Sequence, residues 1–174
     1  AREAPLPAVL RLVAAAAELE LSASPLPAVN VPVEQAFETQ GAMIAAVLRG
    51  TGLVGQMSKR KLNVGAKGAS PSDLQPVIEP AAGADGTPLL QVADVDAFWL
   101  VGVARLKTNA ALLVDADNRF LVVREGSYVG RNWGKVTAIL GDRIVVTEEY
   151  RTIDGEIIVN PVTIHLFSAI AVPR

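Results

Sequence analysis

From Phe120 to Ile139 the chain reads as two strand-like runs, Phe120–Val123 and Val136–Ile139, joined by a connection punctuated by Gly126, Gly130 and Gly134. No other stretch narrows the fold as much. β-Branched and aromatic runs bounded by Gly and Asn mark short strands in a small β domain. The glycines permit positive φ or close backbone approach, as sharp corners require. The connection also carries two aromatics, Tyr128 and Trp133. A domain of this kind buries a core and presents sheet edges, and nothing in the stretch points to chemistry.

The neighbouring sequence extends the pattern. Ala97–Ala104 is a nearly continuous apolar run. Ala110–Val114 pairs with Phe120–Val123 across the polar loop Asp115–Arg119. Val136–Leu140 and Ile144–Thr147 flank Gly141–Arg143. Glu148–Thr152 and Glu156–Val159 flank an Asp154-Gly155 turn signal. Pro161 interrupts the chain before a last strand, Val162–Phe167, and demotes its start to an edge or bulge. The expected fold is mainly β: a small antiparallel β-sandwich of about seven strands over residues 89–174.

Residues 1–88 differ in composition. Nine of the 11 prolines fall there. The segment reads as a Pro/Gly-rich arm, partly helical or disordered. Val9–Leu21 is Ala-rich and favours a marginal helix lying on a surface. Ser22–Pro32 reads as an extended linker. Val33–Leu48 is the strongest helix candidate, with Val33, Phe37, Ile44, Val47 and Leu48 at helical spacing. That stripe must pack on the chain's own β domain or on a partner's helices. Lys59, Arg60, Lys61 and Lys67 form the basic cluster of a solvated linker, and Gly65–Pro88 reads as linker or disorder.

Several function classes are narrowed by composition. The net charge of −2 and the balance of charge along the chain give no global field for nucleic acid or membrane. With no Cys, disulfides, thiol catalysis and Cys-ligated zinc are excluded within these residues. No apolar run approaches the roughly 18 residues of a membrane span. His165, the single histidine, sits in a strand pattern and reads as a structural or surface residue. Asp115 and Asp117 read as turn formers, and the adjacent Glu148 and Glu149 face opposite sides of a strand. No catalytic residue, cofactor or metal is expected. One alternative stays open: Gly50-Thr-Gly-Leu-Val-Gly55 matches GxGxxG and would make the chain a nucleotide- or small-ligand-binding protein. A phosphate cradle needs a strand before that motif and a helix after it, and the sequence reads instead as a linker. A hydrolase built on the carboxylates around Asp115 and Glu148 is a weaker alternative.

From Phe98 onward the sequence resembles the type IV pilus assembly lipoprotein family PilP. The resemblance lies in Phe98-Trp-Leu-Val-Gly-Val103, Ala111-Leu-Leu-Val-Asp-Ala-Asp-Asn-Arg119, Val122–Ile139, Ile144–Arg151 and Pro161–Leu166. The Val-Arg-x-Gly-x-Tyr-x-Gly-x-Asn-x-Gly-x-Val pattern is its most specific part. The resemblance implies a non-catalytic periplasmic adaptor, anchored to the inner membrane by an N-terminal lipid. It implies that the arm binds the PilN–PilO pair and that the β domain docks on the N-terminal periplasmic region of the secretin PilQ. Such an adaptor is needed for pilus assembly and hence twitching motility. The related inner-membrane adaptor of type II secretion has a similar domain and is a further alternative. The family's lipid-bearing Cys is absent from these residues, and no Arg-Asp-Pro-Phe-like motif precedes Leu89. On this reading Phe98, Trp99, Val101, Tyr128 and Trp133 are candidates for the secretin, and Val33, Phe37, Ile44, Val47 and Leu48 for the inner-membrane partners.

Overall fold

The computed structural model describes residues 3–32, 44, 47–67, 74–76, 90 and 93–166. In the N-terminal part, β1 (Glu3–Pro5) runs directly into α1 (Leu6–Ala17). There follow β2 (Glu20–Ala23), β3 (Asn30–Pro32), β4 (Leu53–Ser58), β5 (Lys61–Ala66) and β6 (Gln75–Pro76). The C-terminal part opens with a 3-10 turn at Val95–Ala97 and continues as seven strands. These are β7 (Trp99–Arg105), β8 (Asn109–Val114), β9 (Phe120–Arg124), β10 (Tyr128–Val129), β11 (Gly134–Ile139), β12 (Arg143–Arg151) and β13 (Ile157–His165). They form two antiparallel sheets, ordered β7-β8-β9 and β10-β11-β12-β13. The expected seven-stranded β-sandwich with a partly helical arm is the fold observed.

Alternation along the strands fills the space between the sheets. Leu100, Val103, Ala111, Leu113, Leu121 and Val123 of the first sheet meet Val129, Val136, Ile139, Ile144, Val146 and Ile164 of the second in one apolar cluster. A register shift between Leu100 and Gly102 turns Val101 and Ala104 to the opposite face, where they join Ala110 and Leu112 in a second cluster. The three-stranded sheet is therefore buried on both faces, and its strands are continuously apolar for that reason.

The second face is covered by α1, and here the expectation of a marginal surface helix is corrected. Leu6, Leu10, Leu12, Val13, Ala16 and Ala17 are fully buried. The helix packs against β7, β8 and β9 on one side and against β1, β2 and β3 on another. A helix apolar on nearly all sides is stable only when enclosed in this way. It also ends earlier than expected. Glu18 takes a left-handed conformation, and Glu18 N–H and Leu19 N–H close on Ala15 O (3.2 Å) and Ala14 O (2.8 Å), a Schellman-type stop. Leu21 then lies in a strand. The expected linker Ser22–Pro32 is extended at both ends but paired: β2 lies beside β5 and β6, and β3 pairs with β1. Within the stretch expected as linker, β4 and β5 form a hairpin whose turn is Lys59-Arg60. Among the described residues no helix is long and apolar enough to cross a membrane.

At the C-terminal end, the expected short strands around Thr147 and Pro161 merge into two nine-residue strands, β12 and β13. Pro161 sits within β13 opposite Thr147 without breaking the pairing. β13 is the outer strand of its sheet, where a missing N–H can face away from the ladder. Phe167 lies outside the described residues.

Candidate partner interface

The glycine-punctuated connection becomes a rigid corner between the sheets. Gly126 has φ +94° and Gly130 φ +88°. Gly126 N–H donates to Val136 O (2.8 Å), and Val136 N–H donates back to Ser127 O (2.8 Å). Gly130 N–H donates to Leu90 O (2.6 Å) and Arg131 N–H to Ala93 O (2.9 Å), while Arg131 Nε pairs with Asp94 Oδ1 at 3.0 Å. Gly134 leaves no room for a side chain: a Cβ there would lie 2.5 Å from Val146 Cγ1. Trp133 completes the turn in a left-handed conformation, φ 55°, which non-glycine residues adopt only when their surroundings hold them there.

This backbone presents two aromatics to solvent. Tyr128 is 47% and Trp133 59% exposed. Their rings meet edge to face, with centroids 5.9 Å apart. A polar cluster adjoins them. Tyr150 Oη donates to Glu148 Oε2 (2.6 Å), and Asn132 Nδ2 lies 3.4 Å from both Glu148 Oε1 and Tyr150 Oη. The hydrogen bond to the Glu148 carboxylate, followed by burial, raises the Tyr150 pKa above its ordinary value. Rigid, half-exposed aromatics beside oriented polar groups are the chemistry of a protein-docking anchor.

The other candidate residues are placed differently. Phe98 (2% exposed) and Val101 (7%) are core residues on opposite faces of the three-stranded sheet. Of the first-strand candidates, Trp99 alone is open to a partner. Ile44, Val47 and Leu48 are helical and buried against the α1 cluster, so they already have an apolar neighbour within the chain. Val33 and Phe37 lie outside the described residues.

The Gly50–Gly55 motif has a packing explanation. Gly50 (φ +78°) and Gly52 (φ +74°) make a turn that runs from helical residues into β4, the reverse of the strand-to-helix order that cradles a phosphate. Gly55 lets the helical residues approach, since a Cβ there would lie 2.8 Å from Ile44 Cγ2 and 3.2 Å from Leu48 Cδ1. Asp115 closes its hairpin. Its carboxylate accepts from Asp117 N–H (2.9 Å), Arg119 N–H (2.9 Å) and Arg119 Nε (2.7 Å). Burial alone would raise its pKa, but these hydrogen bonds and the Arg119 charge outweigh burial and hold it below the usual value. His165 is exposed on β13 opposite Arg143.

Sequence reasoning missed the Asn132–Glu148–Tyr150 cluster and the exposed Ile153, Ile157, Ile158 and Val159. The signal for the latter was three consecutive β-branched residues beyond the reach of a third strand. β11 pairs with β12 only from Ile144 to Thr147, whereas β13 follows β12 out to Arg151.

The chain matches the family model of the pilus assembly protein PilP over residues 71–166, which spans both sheets and the aromatic corner. No curated protein matches it. Among solved structures it is similar to the solution structure of PilP from Pseudomonas aeruginosa, at 29% identity over 53% of this chain and 82% of that one, TM-score 0.42. It is similar to a domain of the type IV pilus biogenesis lipoprotein PilP from the same organism, at 30% identity over 45% and 90%, TM-score 0.41. A domain of the Neisseria meningitidis PilP pilot protein is similar at 18% identity over 55% and 84%, TM-score 0.40.

Proposed function

Because the chain belongs to the PilP family of pilus assembly proteins, we propose that it is a non-catalytic periplasmic adaptor of the type IV pilus machine. Residues 89–174 dock on the N-terminal periplasmic region of the secretin PilQ. Residues 1–88 engage the PilN–PilO pair, and an N-terminal lipid ties the chain to the inner membrane. Pilus assembly and twitching motility depend on this bridge.

The observation that carries the proposal is the family match itself, which runs through the aromatic corner. What that corner offers to solvent is two half-exposed rings beside Tyr150, whose hydroxyl is held by the buried Glu148. Such a surface suits a protein partner, whose binding energy concentrates in a few buried aromatics.

The test is binding of the intact chain and of a Tyr128→Ala/Trp133→Ala variant to the PilQ region and to PilN–PilO. The variant is expected to lose PilQ affinity by about 30-fold or more, the scale of a hot-spot pair, and to keep PilN–PilO. Unchanged PilQ binding would move the docking surface off the corner. If the intact, folded chain bound neither partner, the adaptor assignment would fall.

A further inference from the structure

The β12–β13 pair outruns the sandwich. Among the described residues no third strand lies beside β12 beyond Thr147, so Glu148–Arg151 and Ile157–Asn160 form a two-stranded ribbon. Ile157, Ile158 and Val159 on it are each about half exposed. Two-stranded ribbons are marginal by themselves in water, and β-branched residues gain from a pleated neighbour they lack here.

The hydrogen-bond register says which backbone groups are open. Thr152 N–H donates to Glu156 O (2.8 Å) at one end of the pair, and Leu166 N–H to Asp142 O (2.7 Å) at the other. Hydrogen-bonded pairs alternate along an antiparallel ladder, so the even-numbered residues of β13 bond to β12 and the odd-numbered ones face outward. An independent contact agrees: Val145 O, on the odd register of β12, accepts from Thr137 Oγ1 of β11 (3.3 Å). Ile157 and Val159 thus direct their N–H and C=O groups away from the sheet. Pro161 is on the same register, which is why it fits: its missing N–H costs the ladder nothing.

The other sheet edges near this core are closed among the described residues. Arg11 Nη2 donates to Phe120 O on the free side of β9 (3.1 Å). β10 is two residues long. β7 is bridged at Leu100 to Leu166, which also covers the far end of β13. Around this core, the stretch from Ile157 to Pro161 is an edge with no pairing strand among the described residues.

We propose that this edge accepts an extended strand of the docking partner, which adds to β13 at Ile157 and Val159 and stops at Pro161. This rests on the secretin-docking assignment above and specifies how that contact is made. The occupant is a β-branched-rich segment from a protein with an unpaired strand, because β13 itself is apolar on both faces at Ile157–Val159, with Arg151 and Glu149 of β12 beside Ile157 and Val159 and Tyr150 beside Ile158. The edge is continuous with the aromatic corner: Ile158 pairs across the ladder with Tyr150, whose hydroxyl reaches Asn132. A second copy of the chain fits poorly. Two β13 edges related by a two-fold axis would each bring a Pro161 to the shared ladder, whereas a partner strand without proline leaves it interrupted once only.

Val159→Pro tests this directly, since it removes an outward N–H and leaves the β12–β13 bonds in place. Val159→Lys keeps the N–H but puts a charge on the edge. Each intact variant is titrated with the PilQ N-terminal periplasmic region, and amide hydrogen exchange is read at Ile157 and Val159 in the free and bound unaltered chain. Both variants are expected to bind at least tenfold more weakly with an unchanged melting temperature, and both amides are expected to slow on binding. Binding by both variants within twofold of the unaltered chain, without slowing of either amide, overturns strand addition and leaves secretin docking standing. No binding by the unaltered chain overturns both. Slowing that appears without partner, together with a doubled mass, assigns the edge to a second copy and overturns the proposal. Should Val159→Pro fail to fold, the exchange measurement and Val159→Lys decide.

Discussion

Gly130→Ala tests how the aromatic corner is held, with Gly126→Ala as its internal control. Both glycines have φ near +90°, so an L side chain at either costs about 1–2 kcal/mol of backbone strain. They differ in space. Nothing lies within 4 Å of a Cβ built on Gly126, whereas one on Gly130 would sit 2.5 Å from Val95 Cγ2 and 3.1 Å from Val95 N. The methyl cannot be accommodated by a side-chain swing alone, because the second contact is backbone. Overpacking of this kind adds about 1–3 kcal/mol. Moving Val95 would also strain the Gly130–Leu90 and Arg131–Ala93 hydrogen bonds that flank it. Gly126→Ala is therefore expected to cost about 1–2 kcal/mol and Gly130→Ala about 2–5 kcal/mol. For a chain of 174 residues, each kcal/mol lowers the melting temperature by about 2–4 °C. Far-UV circular dichroism is the suitable probe, since both tryptophans are already largely exposed and their fluorescence would change little. The Val95→Ala background makes the attribution strict. Removing Cγ2 should bring the cost of Gly130→Ala down towards that of Gly126→Ala. Equal costs for the two glycines, or no relief from Val95→Ala, would refute the packing account and leave only the dihedral.

Three further expectations follow from the same geometry. Asp115→Ala removes the acceptor of three hydrogen bonds at the β8–β9 turn and should destabilise by about 1–3 kcal/mol. Because the folded pKa is depressed, the carboxylate's contribution is present above the unfolded value and lost as pH falls through the folded one; the stability gap between parent and variant should narrow below about pH 4 in urea titrations. Tyr150→Phe removes the hydrogen bond to the Glu148 carboxylate and should lower the melting temperature slightly, since water competes for an exposed hydroxyl; an unchanged or raised melting temperature would refute the contact's contribution. Gly55→Ala should destabilise by about 1–3 kcal/mol through its contact with Ile44, while millimolar ATP leaves the parent's melting temperature unchanged; a concentration-dependent rise would restore a nucleotide site at Gly50–Gly55.

The sandwich was legible because its strands obey a period. The hairpins Ala110–Val114 with Phe120–Val123 and Val136–Leu140 with Ile144–Thr147 were set by β-branched runs and polar turns. The long β12–β13 pair was read as shorter pieces because Pro161 is a strand breaker in one register and harmless in the other. Sequence alone does not give the register. The helix was misplaced for a related reason. Arg11, Glu18 and Glu20 interrupt the apolar surface of Val9–Leu21, yet Arg11 reaches Phe120 O, Glu18 ends the helix and Glu20 opens a strand. The clue lay elsewhere, in the unbroken apolar run of Ala97–Ala104. A sandwich strand with one wet face alternates; a run that does not alternate needs a second cover, and α1 supplies it.

The interface was less legible than the fold, and the reason is physical. At the entry to β7, Phe98, Trp99 and Val101 look alike in sequence but differ in fate: Phe98 and Val101 are core and Trp99 is not. Which apolar residue is core depends on the register shift after Leu100 and on the helix packed behind it, both non-local. Tyr128 and Trp133 stand as candidates because they sit in a connection, where nothing local obliges an aromatic to be buried, and both are exposed in the fold. Ile157, Ile158 and Val159 follow the opposite logic. They read as an ordinary strand, and they become informative only once the neighbouring strand is seen to stop short. Three β-branched residues in a row, on an outer strand, retain a pleated surface that none of the described residues covers. A chain selected only to fold by itself would place a charge at one of them, as edge strands commonly do. That this edge instead stays apolar from Ile157 to Val159 is what strand addition at β13 requires.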